Sequence, residues 1–464
     1  MQKIRSRVGL CTFILIFFFA GLLVFLNQYR KHAREWFLQP YNRHLYSQDN
    51  VLVSGTVRDR NGLILSTVND GQRIYNGDET VRISTLHVVG DPYGKIGTSA
   101  LATLYTELIS YDRIRGIAAV SENGNTVNLT IDADLNAAAY KALDGRNGTV
   151  CVYNYKTGEI MALVSTPAYD PENIPEDLEE NEAYSGVYLN RFFSTTATPG
   201  SVLKPVILQA ALENLTASDI DPSQTGPISE CRFNCKGIIS FSDGYVKCPK
   251  IHGSQTLSET LANSCNCAYA AMAVALGNVR VSEYMQRSGL TSSYRVGAVN
   301  TARGTFSVTG VADYRLGYAG VGLYLDQVNP CSLMVYYAAV ANGGTAAVPN
   351  TVRSVTDAKG REVYKPELTM TGKILSEGSS ALIRQMLQND VIATYGKDRF
   401  PCAIAAKSGT VERSGGASDS WFAGFTTDAD KPYAFVVFIE HGGSGSRAAG
   451  SVAAEVLKAL TSGQ

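Results

Sequence analysis

A long apolar run lies close to the N-terminus, from Val8 to Leu26, and it contains no charged residue. As an α-helix its 19 residues would be about 28 Å long, which is close to the roughly 30 Å hydrocarbon core of a bilayer. A cleaved signal peptide typically has a shorter apolar stretch of about 7–15 residues, followed by a small-residue cleavage site. The pattern therefore predicts an uncleaved transmembrane signal anchor over residues 8–27, preceded by a short tail, residues 1–7.

Apolar and polar positions alternate in short blocks between residues 28 and 125. The segment Gly55–Leu65 has two alternating stretches on either side of Asn61-Gly62, a dipeptide typical of tight hairpin turns, which predicts two paired strands. The stretch Leu101–Leu108 has helical spacing instead. Together these patterns predict a small α/β module between the anchor and the rest of the chain.

The pattern from residue 126 to the C-terminus predicts helices and strands of one larger domain, residues 126–464. Alternation predicts a strand at Thr126–Asp132, and alanine-rich helical spacing predicts a helix at Asp134–Leu143. The other predicted elements are a hairpin made of Gly148–Tyr153 and Gly158–Ser165, helices at Lys204–Leu212, Thr256–Gly277, Val335–Asn342, Leu375–Leu387 and Ala448–Leu460, and strands at Ile404–Thr410, Ser420–Thr426 and Tyr433–Glu440.

The composition adds little to this picture but excludes one class of function. The chain has 464 residues, of which 45% are hydrophobic and 18% charged, and its net charge is -1. This is an ordinary globular composition. Because the net charge is almost neutral and the sequence has no basic stripe, the composition argues against a nucleic-acid-binding protein.

Nine cysteines are present, and their irregular spacing does not suggest a disulfide framework along the whole chain. Four residues are exceptional, because Cys231-x3-Cys235 and Cys248-x3-His252 have spacings similar to those of zinc ribbons and fingers. In an exported domain a disulfide within the cluster is the simpler interpretation. A zinc site and unpaired structural cysteines are the two alternatives.

The first candidate for chemistry is the S-x-x-K sequence formed by Ser201 and Lys204, which occurs once in the chain. Pro205 fits only the first turn of a helix, so a helix that contains Lys204 must begin close to Ser201. Positions i and i+3 share a helix face, which predicts that the lysine amine lies beside the serine hydroxyl. A desolvated lysine can remove the proton of a serine, and the helix N-terminus can stabilise an oxyanion.

Two further motifs follow in order. Ser264-Cys265-Asn266 lies in a predicted helical region, where Ser264 can relay a proton and Asn266 can bind a peptide amide. The second motif, Lys407–Thr410, lies on a predicted strand. Its lysine can bind a substrate carboxylate and, as a like charge, lower the pKa of the first lysine; its glycine lets a substrate backbone approach closely. Similar tripeptides occur upstream at 121–123 and 156–158.

The order S-x-x-K, S-x-N and K-[ST]-G resembles that of penicillin-binding proteins and serine β-lactamases. From about residue 51 onwards, the chain resembles the class B, or monofunctional, penicillin-binding proteins, which are peptidoglycan D,D-transpeptidases. Further segments similar to landmarks of that family are Arg58–Gly62, Leu129–Asp132, Lys156–Ala162, His252-Gly253, Ala341–Gly344 and Trp421–Phe425. Two segments depart from the family pattern, Ala319–Gly322 and Gln327–Pro330, which lack its Gly-Gln-Gly and Thr-Pro sequences.

The resemblance implies a fold and a set of residue roles. The implied fold is an α/β (α+β) transpeptidase domain, an antiparallel sheet flanked by helices, on a pedestal formed by residues 28–125. Ser201 is the implied nucleophile, Lys204 its general base and Ser264 a further catalytic residue, with the N–H groups of Ser201 and Thr410 as the oxyanion hole. The implied substrate-binding residues are Asn266, Lys407, Ser408, Gly409 and Thr410. No cofactor is implied, and the only metal-ligand candidates are Cys231, Cys235, Cys248 and His252.

The resemblance also implies substrates, partners and location. The substrates are peptidoglycan stem peptides, with a D-Ala-D-Ala donor and an amine acceptor, and penicillin and other β-lactams inhibit by acylating the serine. The protein would cross the cell membrane once, with its N-terminus in the cytoplasm and its catalytic domain outside. By analogy with the family, a multi-spanning glycan polymerase is the expected partner.

Three other hypotheses explain less of the sequence. A bifunctional class A enzyme would need a glycosyltransferase domain, and the roughly 100 residues between the anchor and Gly148 are too few for one. A membrane-anchored serine β-lactamase would need a deacylating water, and no motif here supplies one. A non-catalytic β-lactam sensor or scaffold would be expected to carry a further membrane-embedded portion or to lack Ser201 or Lys204.

Overall fold

The computed structural model describes residues 2–37, 53–112, 117–118 and 124–462. The S-x-N-like tripeptide at 121–123 lies outside these residues. The helices of the described residues are α1 (Gln2–Phe37), α2 (Glu79–Val89), α3 (Ala100–Thr103), α4 (Tyr105–Leu108), α5 (Ala133–Leu143), α6 (Arg191–Ser194), α7 (Lys204–Asn214), α8 (Leu257–Ala262), α9 (Asn266–Arg287), α10 (Asp313–Val321), α11 (Pro330–Ala341), α12 (Glu377–Asp390) and α13 (Ala449–Ser462).

The strands of the same residues form one six-stranded sheet, one five-stranded sheet and several two-stranded pairs. They are β1 (Thr56–Arg58), β2 (Ile64–Asn69), β3 (Gln72–Tyr75), β4 (Tyr111–Asp112), β5 (Ile117–Ala118), β6 (Thr126–Leu129), β7 (Gly148–Asn154), β8 (Ile160–Thr166), β9 (Arg232–Cys235), β10 (Ile238–Phe241), β11 (Gly244–Lys247), β12 (Gly253–Thr256), β13 (Arg295–Val296), β14 (Val299–Asn300), β15 (Val352–Thr356), β16 (Glu362–Tyr364), β17 (Ile404–Glu412), β18 (Ser418–Thr426) and β19 (Tyr433–Ile439).

The first helix, α1, contains the apolar run that the sequence singled out. Its segment Ile4–His32 is long and apolar enough to cross a membrane, and its large apolar side chains are exposed. Exposed Phe and Leu side chains are unfavourable in water, where apolar area is driven out of contact with solvent. Among the described residues this is the one helix that could span a membrane, and it fits a single-pass membrane anchor.

The six-stranded sheet has the order β16-β15-β6-β1-β2-β3. It contains the predicted hairpin, since β1 and β2 pair antiparallel around the Asn61-Gly62 turn. Asp59 stabilises this turn, because its carboxylate accepts the N–H groups of Asn61 and Leu63, both at 2.8 Å. The same carboxylate accepts the N–H of Ala133 at 3.2 Å and so ties the hairpin to the start of α5. The sheet thus has strands on both sides of residue 125, and the domain boundary there stays a prediction.

The five-stranded sheet is antiparallel throughout, with the order β17-β18-β19-β7-β8. Successive side chains of a strand point to opposite faces, and β19 shows this clearly. Phe435 and Val437 pack with α5 and α13 on one face, whereas Val436 and Phe438 pack with α11 on the other. The predicted antiparallel sheet flanked by helices is confirmed, as are the hairpin of β7 and β8 and the three C-terminal strands.

The structure differs from the pattern-based prediction at several helices. The helix α2 was not predicted, because its many β-branched residues resemble a strand, but α2 packs against α5 and Asp78 caps its N-terminus. The predicted helix at Leu101–Leu108 is two short helices, α3 and α4. The predicted helix at Thr256–Gly277 is interrupted, because α8 ends at Ala262 and α9 begins at Asn266. That interruption contains Ser264 and Cys265 of the S-x-N motif, and Asn266 is the first residue of α9.

Candidate active site

The first predicted site residue, Ser201, lies in a tight turn that leads into α7. Residues Gly200–Leu203 form one turn of 3-10 helix, and Pro205 lies in the first turn of α7, as its missing N–H requires. Gly200 has a φ of +58° and donates its N–H to the carbonyl of Gly322 at 2.9 Å. A Cβ atom at position 322 would lie 2.3 Å from the Gly200 carbonyl oxygen. Gly322, which belongs to a segment that departs from the family pattern, thus supports the turn that holds Ser201 through its backbone.

Ser201 and Lys204 are connected through a third residue. The Ser264 hydroxyl donates to Ser201 Oγ at 2.8 Å, and Lys204 Nζ lies 3.0 Å from Ser264 Oγ. Lys204 Nζ also donates to the Ser264 carbonyl at 2.7 Å and to Asn266 Oδ1 at 2.9 Å. The sequence predicted that the amine lies beside the Ser201 hydroxyl. In the structure, the hydrogen bonds of the described residues connect Ser201 to Lys204 through Ser264.

These contacts suit a neutral lysine amine. The Ser264 carbonyl and Asn266 Oδ1 can only accept, so they take two N–H groups of Lys204. The third contact is with a hydroxyl, which can donate or accept. A neutral amine has two N–H groups and one lone pair. The lone pair accepts from Ser264 Oγ once that hydroxyl turns from Ser201 to Lys204, and Ser201 then donates to Ser264 Oγ, the reverse of the direction in which the two hydroxyls are oriented here. The arrangement can therefore accept a proton that originates on Ser201.

Burial sets the electrostatics of Lys204. Its side chain is fully buried, and burial, followed by the nearby charge of Lys407, lowers the pKa of Lys204 to about 7. Cys265, Cys248 and Asp390 act in the opposite direction but are outweighed. The sequence had suggested both a desolvated lysine and the like charge of Lys407, without showing which cause is larger. The larger cause, burial, depends on tertiary packing, which the sequence pattern does not show.

Ser264 has an unusual backbone conformation. It lies between α8 and α9 with a φ of +50°, a left-handed conformation that costs a non-glycine residue about 1–2 kcal/mol. Such residues cluster at functional sites, where the surrounding structure holds them in place. Here the left-handed residue directs its hydroxyl to Ser201 and its carbonyl to Lys204.

The third motif, Lys407–Thr410, lies on β17, which is an edge strand of the five-stranded sheet. Lys407 is buried and forms an ion pair with Asp390, with Nζ 3.3 Å from Oδ2. Burial by itself lowers the pKa of Lys407, but Asp390 and Tyr395 outweigh it and the pKa is raised. Burial also raises the pKa of Asp390 despite the ion pair. We assign the proton to Lys407, because an ammonium group is a far weaker acid than a carboxyl group.

Ser408 and Gly409 have contacts that the sequence did not indicate. The Tyr395 hydroxyl donates to Ser408 Oγ and accepts the Ser408 N–H, both at 2.9 Å. A Cβ atom at Gly409 would lie 2.8 Å from the carbonyl oxygen of Pro199. The glycine therefore lets β17 pack against the turn that leads to Ser201, whereas the sequence had suggested close approach of a substrate. Asp390 and Tyr395 were missed because neither belongs to a recognisable motif.

The model of the penicillin-binding protein transpeptidase domain matches residues 148–462 of the chain. The chain belongs to the penicillin-binding protein transpeptidase family. All three motifs lie within the matched residues, and the residues around Ser201 are therefore the candidate active site of a penicillin-binding protein.

Individual relatives agree with this assignment and with the class B resemblance. The chain is 27% identical to the peptidoglycan D,D-transpeptidase PbpA of Mycolicibacterium smegmatis, over 72% of this chain and 72% of PbpA. It is 25% identical to stage V sporulation protein D of Bacillus subtilis over 63% of this chain, and it spans 45% of the length of that relative. Penicillin-binding protein A from Mycobacterium tuberculosis, solved as a penicillin G acyl-enzyme complex, shares the fold with a TM-score of 0.72 and 21% identity, over 88% of this chain and 99% of that chain.

The upstream tripeptide at 156–158 is part of a turn in this penicillin-binding protein. It joins β7 to β8, and Gly158 packs against the carbonyl of Val348. A cavity of about 1050 Å³ lies beside this turn, lined by residues such as Arg295, Arg353 and Tyr364 and by none of the three motifs. This cavity is therefore separate from the candidate active site.

The structure brings together three of the four predicted metal-ligand candidates. The side chains of Cys235, Cys248 and His252 lie close to one another and to Cys265, the central residue of the S-x-N motif. Cys231 lies apart from them, with its Sγ 3.7 Å from the Arg232 carbonyl. The sequence could have suggested Cys265, since it is the middle residue of a motif whose other two residues line the site.

Proposed function

We propose that this penicillin-binding protein is a membrane-anchored peptidoglycan D,D-transpeptidase, with Ser201 as nucleophile and Lys204 as general base. The observation that carries the proposal is the continuous hydrogen-bonded path from Ser201 through Ser264 to a buried lysine whose pKa is lowered to about 7. A base with a pKa near the working pH is the most effective proton acceptor. The names of the relatives agree with this activity.

The path from Ser201 through Ser264 to Lys204 carries a proton away from the nucleophile and later returns it to the leaving group. Ser201 Oγ attacks the carbonyl carbon between the two D-Ala residues of a stem peptide, and its proton passes through Ser264 to Lys204. The N–H groups of Ser201 and Thr410 stabilise the oxyanion, a contribution typically worth about 10²–10³ in rate for each donor. The proton then returns to the amine of the departing D-Ala. An amine of a second stem peptide attacks the acyl-enzyme, forms the cross-link and regenerates the Ser201 hydroxyl.

The residues of β17 and Asn266 hold the substrate in this proposal. Lys407, kept protonated by Asp390, supplies the positive charge next to the substrate carboxylate, with Ser408 and Thr410 as hydrogen-bond donors. Asn266 accepts a hydrogen bond from Lys204 and donates one amide hydrogen to the Lys247 carbonyl, and its second amide hydrogen can bind the peptide backbone. A β-lactam follows the same path, but its leaving amine stays attached to the acyl group after the ring opens.

The anchor places the domain at a membrane surface. We infer that the N-terminus lies in the cytoplasm and the catalytic domain outside, where peptidoglycan is made. The proposed partner, a multi-spanning glycan polymerase, would contact α1 and the pedestal. Both points rest on analogy with the family.

The proposed reaction predicts a product that hydrolysis does not give. When the full chain is incubated with a peptide ending in D-Ala-D-Ala and with an excess of an amine acceptor, we expect release of D-Ala together with a new amide between donor and acceptor. Mass spectrometry of the peptides detects both products. Release of D-Ala without any amide product at high acceptor concentration, or rapid consumption of penicillin, would contradict the transpeptidase assignment.

The proposed base predicts how acylation depends on pH. Lys204 must be neutral to accept a proton, and its pKa is lowered to about 7. The rate of penicillin acylation should therefore be low at pH 5, rise through about pH 7 and level off above it. Lys407 does not reverse this rise, because its pKa is raised and it stays protonated. The acylation rate is measured by stopping the reaction at set times and determining the acylated fraction from the intact mass. Thermal unfolding at each pH is the control for folding. A rate that is flat or falls as the pH rises would exclude Lys204 as the base.

A further inference from the structure

A second cluster of reactive side chains lies beside the S-x-N motif, and the transpeptidase mechanism does not use it. The Sγ atoms of Cys235, Cys248 and Cys265 and a ring nitrogen of His252 all lie within 4.8 Å of one another. We call these four residues the Cys3His cluster. Cys248 Sγ is 3.4 Å from His252 Nδ1 and 4.0 Å from Cys265 Sγ.

These distances suit a tetrahedral metal site. Zinc binds sulfur at about 2.3 Å and imidazole nitrogen at about 2.0 Å, which separates a sulfur and a nitrogen ligand by about 3.5 Å and two sulfur ligands by about 3.8 Å. Both measured separations are close to these values. Three thiolates with one imidazole are a ligand set typical of structural zinc, and soft thiolate ligands disfavour magnesium and calcium.

We propose that the Cys3His cluster binds a structural Zn²⁺ ion. Four protein ligands complete the tetrahedron and leave no position for water or substrate, so the ion would stabilise the structure and not take part in the reaction. Binding releases the protons of the three thiols. Zinc binding itself does not rest on the proposed transpeptidase function.

The four ligands belong to two small sheets and to the start of α9, which a metal ion would connect. Cys235 ends β9, Cys248 directly follows β11 and His252 directly precedes β12, while Cys265 caps the N-terminus of α9. The strands form only two-stranded sheets, β9 with β12 and β10 with β11. An isolated two-stranded sheet is marginally stable in water, and a metal is one of the common ways in which small units are stabilised. A zinc ion would join both sheets to the start of α9.

Backbone groups already support a ligand of the cluster. The N–H of Gly237 donates to Cys235 Sγ at 3.4 Å, and the Gly237 carbonyl accepts the N–H of Cys248 at 2.9 Å. Hydrogen bonds of this kind orient metal ligands.

A disulfide is the competing state, but the distance between the Cys248 and Cys265 sulfur atoms is about twice the length of a disulfide bond. A single disulfide would also leave the third thiol and His252 without a role.

The cluster is connected to the candidate active site on two sides. Cys265 lies between Ser264 and Asn266, the two residues that bind Lys204 Nζ. Asn266 in turn donates from Nδ2 to the carbonyl of Lys247, the residue before Cys248, at 3.1 Å. An ion bound to Cys248 and Cys265 would therefore hold the left-handed segment that presents Ser264. This second consequence does rest on the proposed function.

The test uses the full chain, purified in detergent from cells grown with zinc in the medium. We expect about one zinc ion per chain by elemental analysis in the wild type and in Cys231→Ser, the matched control, because Cys231 is buried but lies outside the cluster. We expect Cys248→Ser and His252→Ala to lose most of the zinc. His252 is half-buried, so that variant keeps the proposal testable if Cys248→Ser does not fold. Thiols are counted in denaturant with the metal removed, which identifies any disulfide.

The second part of the test measures the effect of removing the metal on the Tm and on acylation. Chelation of the wild type should lower the Tm by about 5 °C or more, and addition of Zn²⁺ but not Mg²⁺ should restore it. Penicillin acylation should fall about tenfold or more on chelation and recover with the Tm, since residues behind a site typically have effects of this size. Zinc at the same level in Cys248→Ser, no zinc in the wild type, or a disulfide between cluster cysteines would overturn the proposal. Zinc content and Tm are independent of catalysis, so failure of the transpeptidase assignment would leave these results unchanged.

Discussion

In the Ser201→Ala variant we expect penicillin to leave the mass of the chain unchanged, while the wild type gains the mass of one penicillin molecule. The reason is that the variant lacks the Ser201 oxygen that attacks the β-lactam carbonyl, the oxygen to which the path from Lys204 through Ser264 leads. The expected loss of labelling is complete within the detection limit. D-Ala release from the donor peptide should be lost to the same degree.

The fold of Ser201→Ala should be almost unaffected. Ser201 is only partly buried, and its hydroxyl makes one hydrogen bond, to Ser264, so we expect the free energy of unfolding to change by about 1 kcal/mol or less. The matched control is Ser462→Ala, at the exposed end of α13, which should label like the wild type. Covalent labelling that persists in Ser201→Ala at the wild-type rate would refute the assignment of the nucleophile.

In the Lys204→Met variant we expect the acylation rate to fall by about 10²–10⁴-fold, the usual contribution of a general base. Methionine has a similar length and is apolar, so it fits a fully buried position without the cost of burying a charge. The unfolding transition should therefore remain cooperative. The measurement is the rate of adduct formation with penicillin at pH 7, with the exposed Lys458→Met as the control.

The pH profile separates a catalytic from a structural role of Lys204. If the lysine is the base, the variant should lose the rise in rate near pH 7 as well as the rate itself. A variant with a slower rate but the same rise through about pH 7 would show that another group titrates. In that case Lys204 would be a positioning residue, and the proton would leave Ser201 by another path.

Much of the fold follows from local sequence patterns, because most of its elements have strong periodicity. The three C-terminal strands and the hairpin of β7 and β8 alternate cleanly or are continuously apolar, and the structure has them close to the predicted bounds. The helix α2 was missed because its β-branched residues favour strands locally, whereas its packing against α5 and β8 and the Asp78 cap favour the helix. The pairing of β6 with β1 and β15 was not predicted either, since pairing between distant strands leaves no local pattern.

The candidate site was predictable as far as its residues form motifs. Ser201, Lys204, Ser264, Asn266 and the residues of Lys407–Thr410 were all named from the sequence, and the structure brings the first four together by hydrogen bonds. A proton relay through Ser264 was predicted from the chemistry of its hydroxyl. The left-handed backbone of Ser264 was not predicted, because it depends on the interruption between α8 and α9. The roles of Asp390 and Tyr395 were not predictable, since these residues lie at the end of α12 and just after it, and their contacts with β17 depend on tertiary packing that leaves no motif in the sequence.

The most direct test of the central claim is a time course of intact mass after the full chain is mixed with penicillin, with the labelled peptide then identified by digestion. The account predicts a single adduct that maps to the peptide containing Ser201 and persists for hours, because the acceptor amine that would resolve it is absent. An adduct that disappears within seconds while penicillin is consumed would identify a β-lactamase. The absence of any adduct, or an adduct on another peptide, would contradict the proposed role of Ser201.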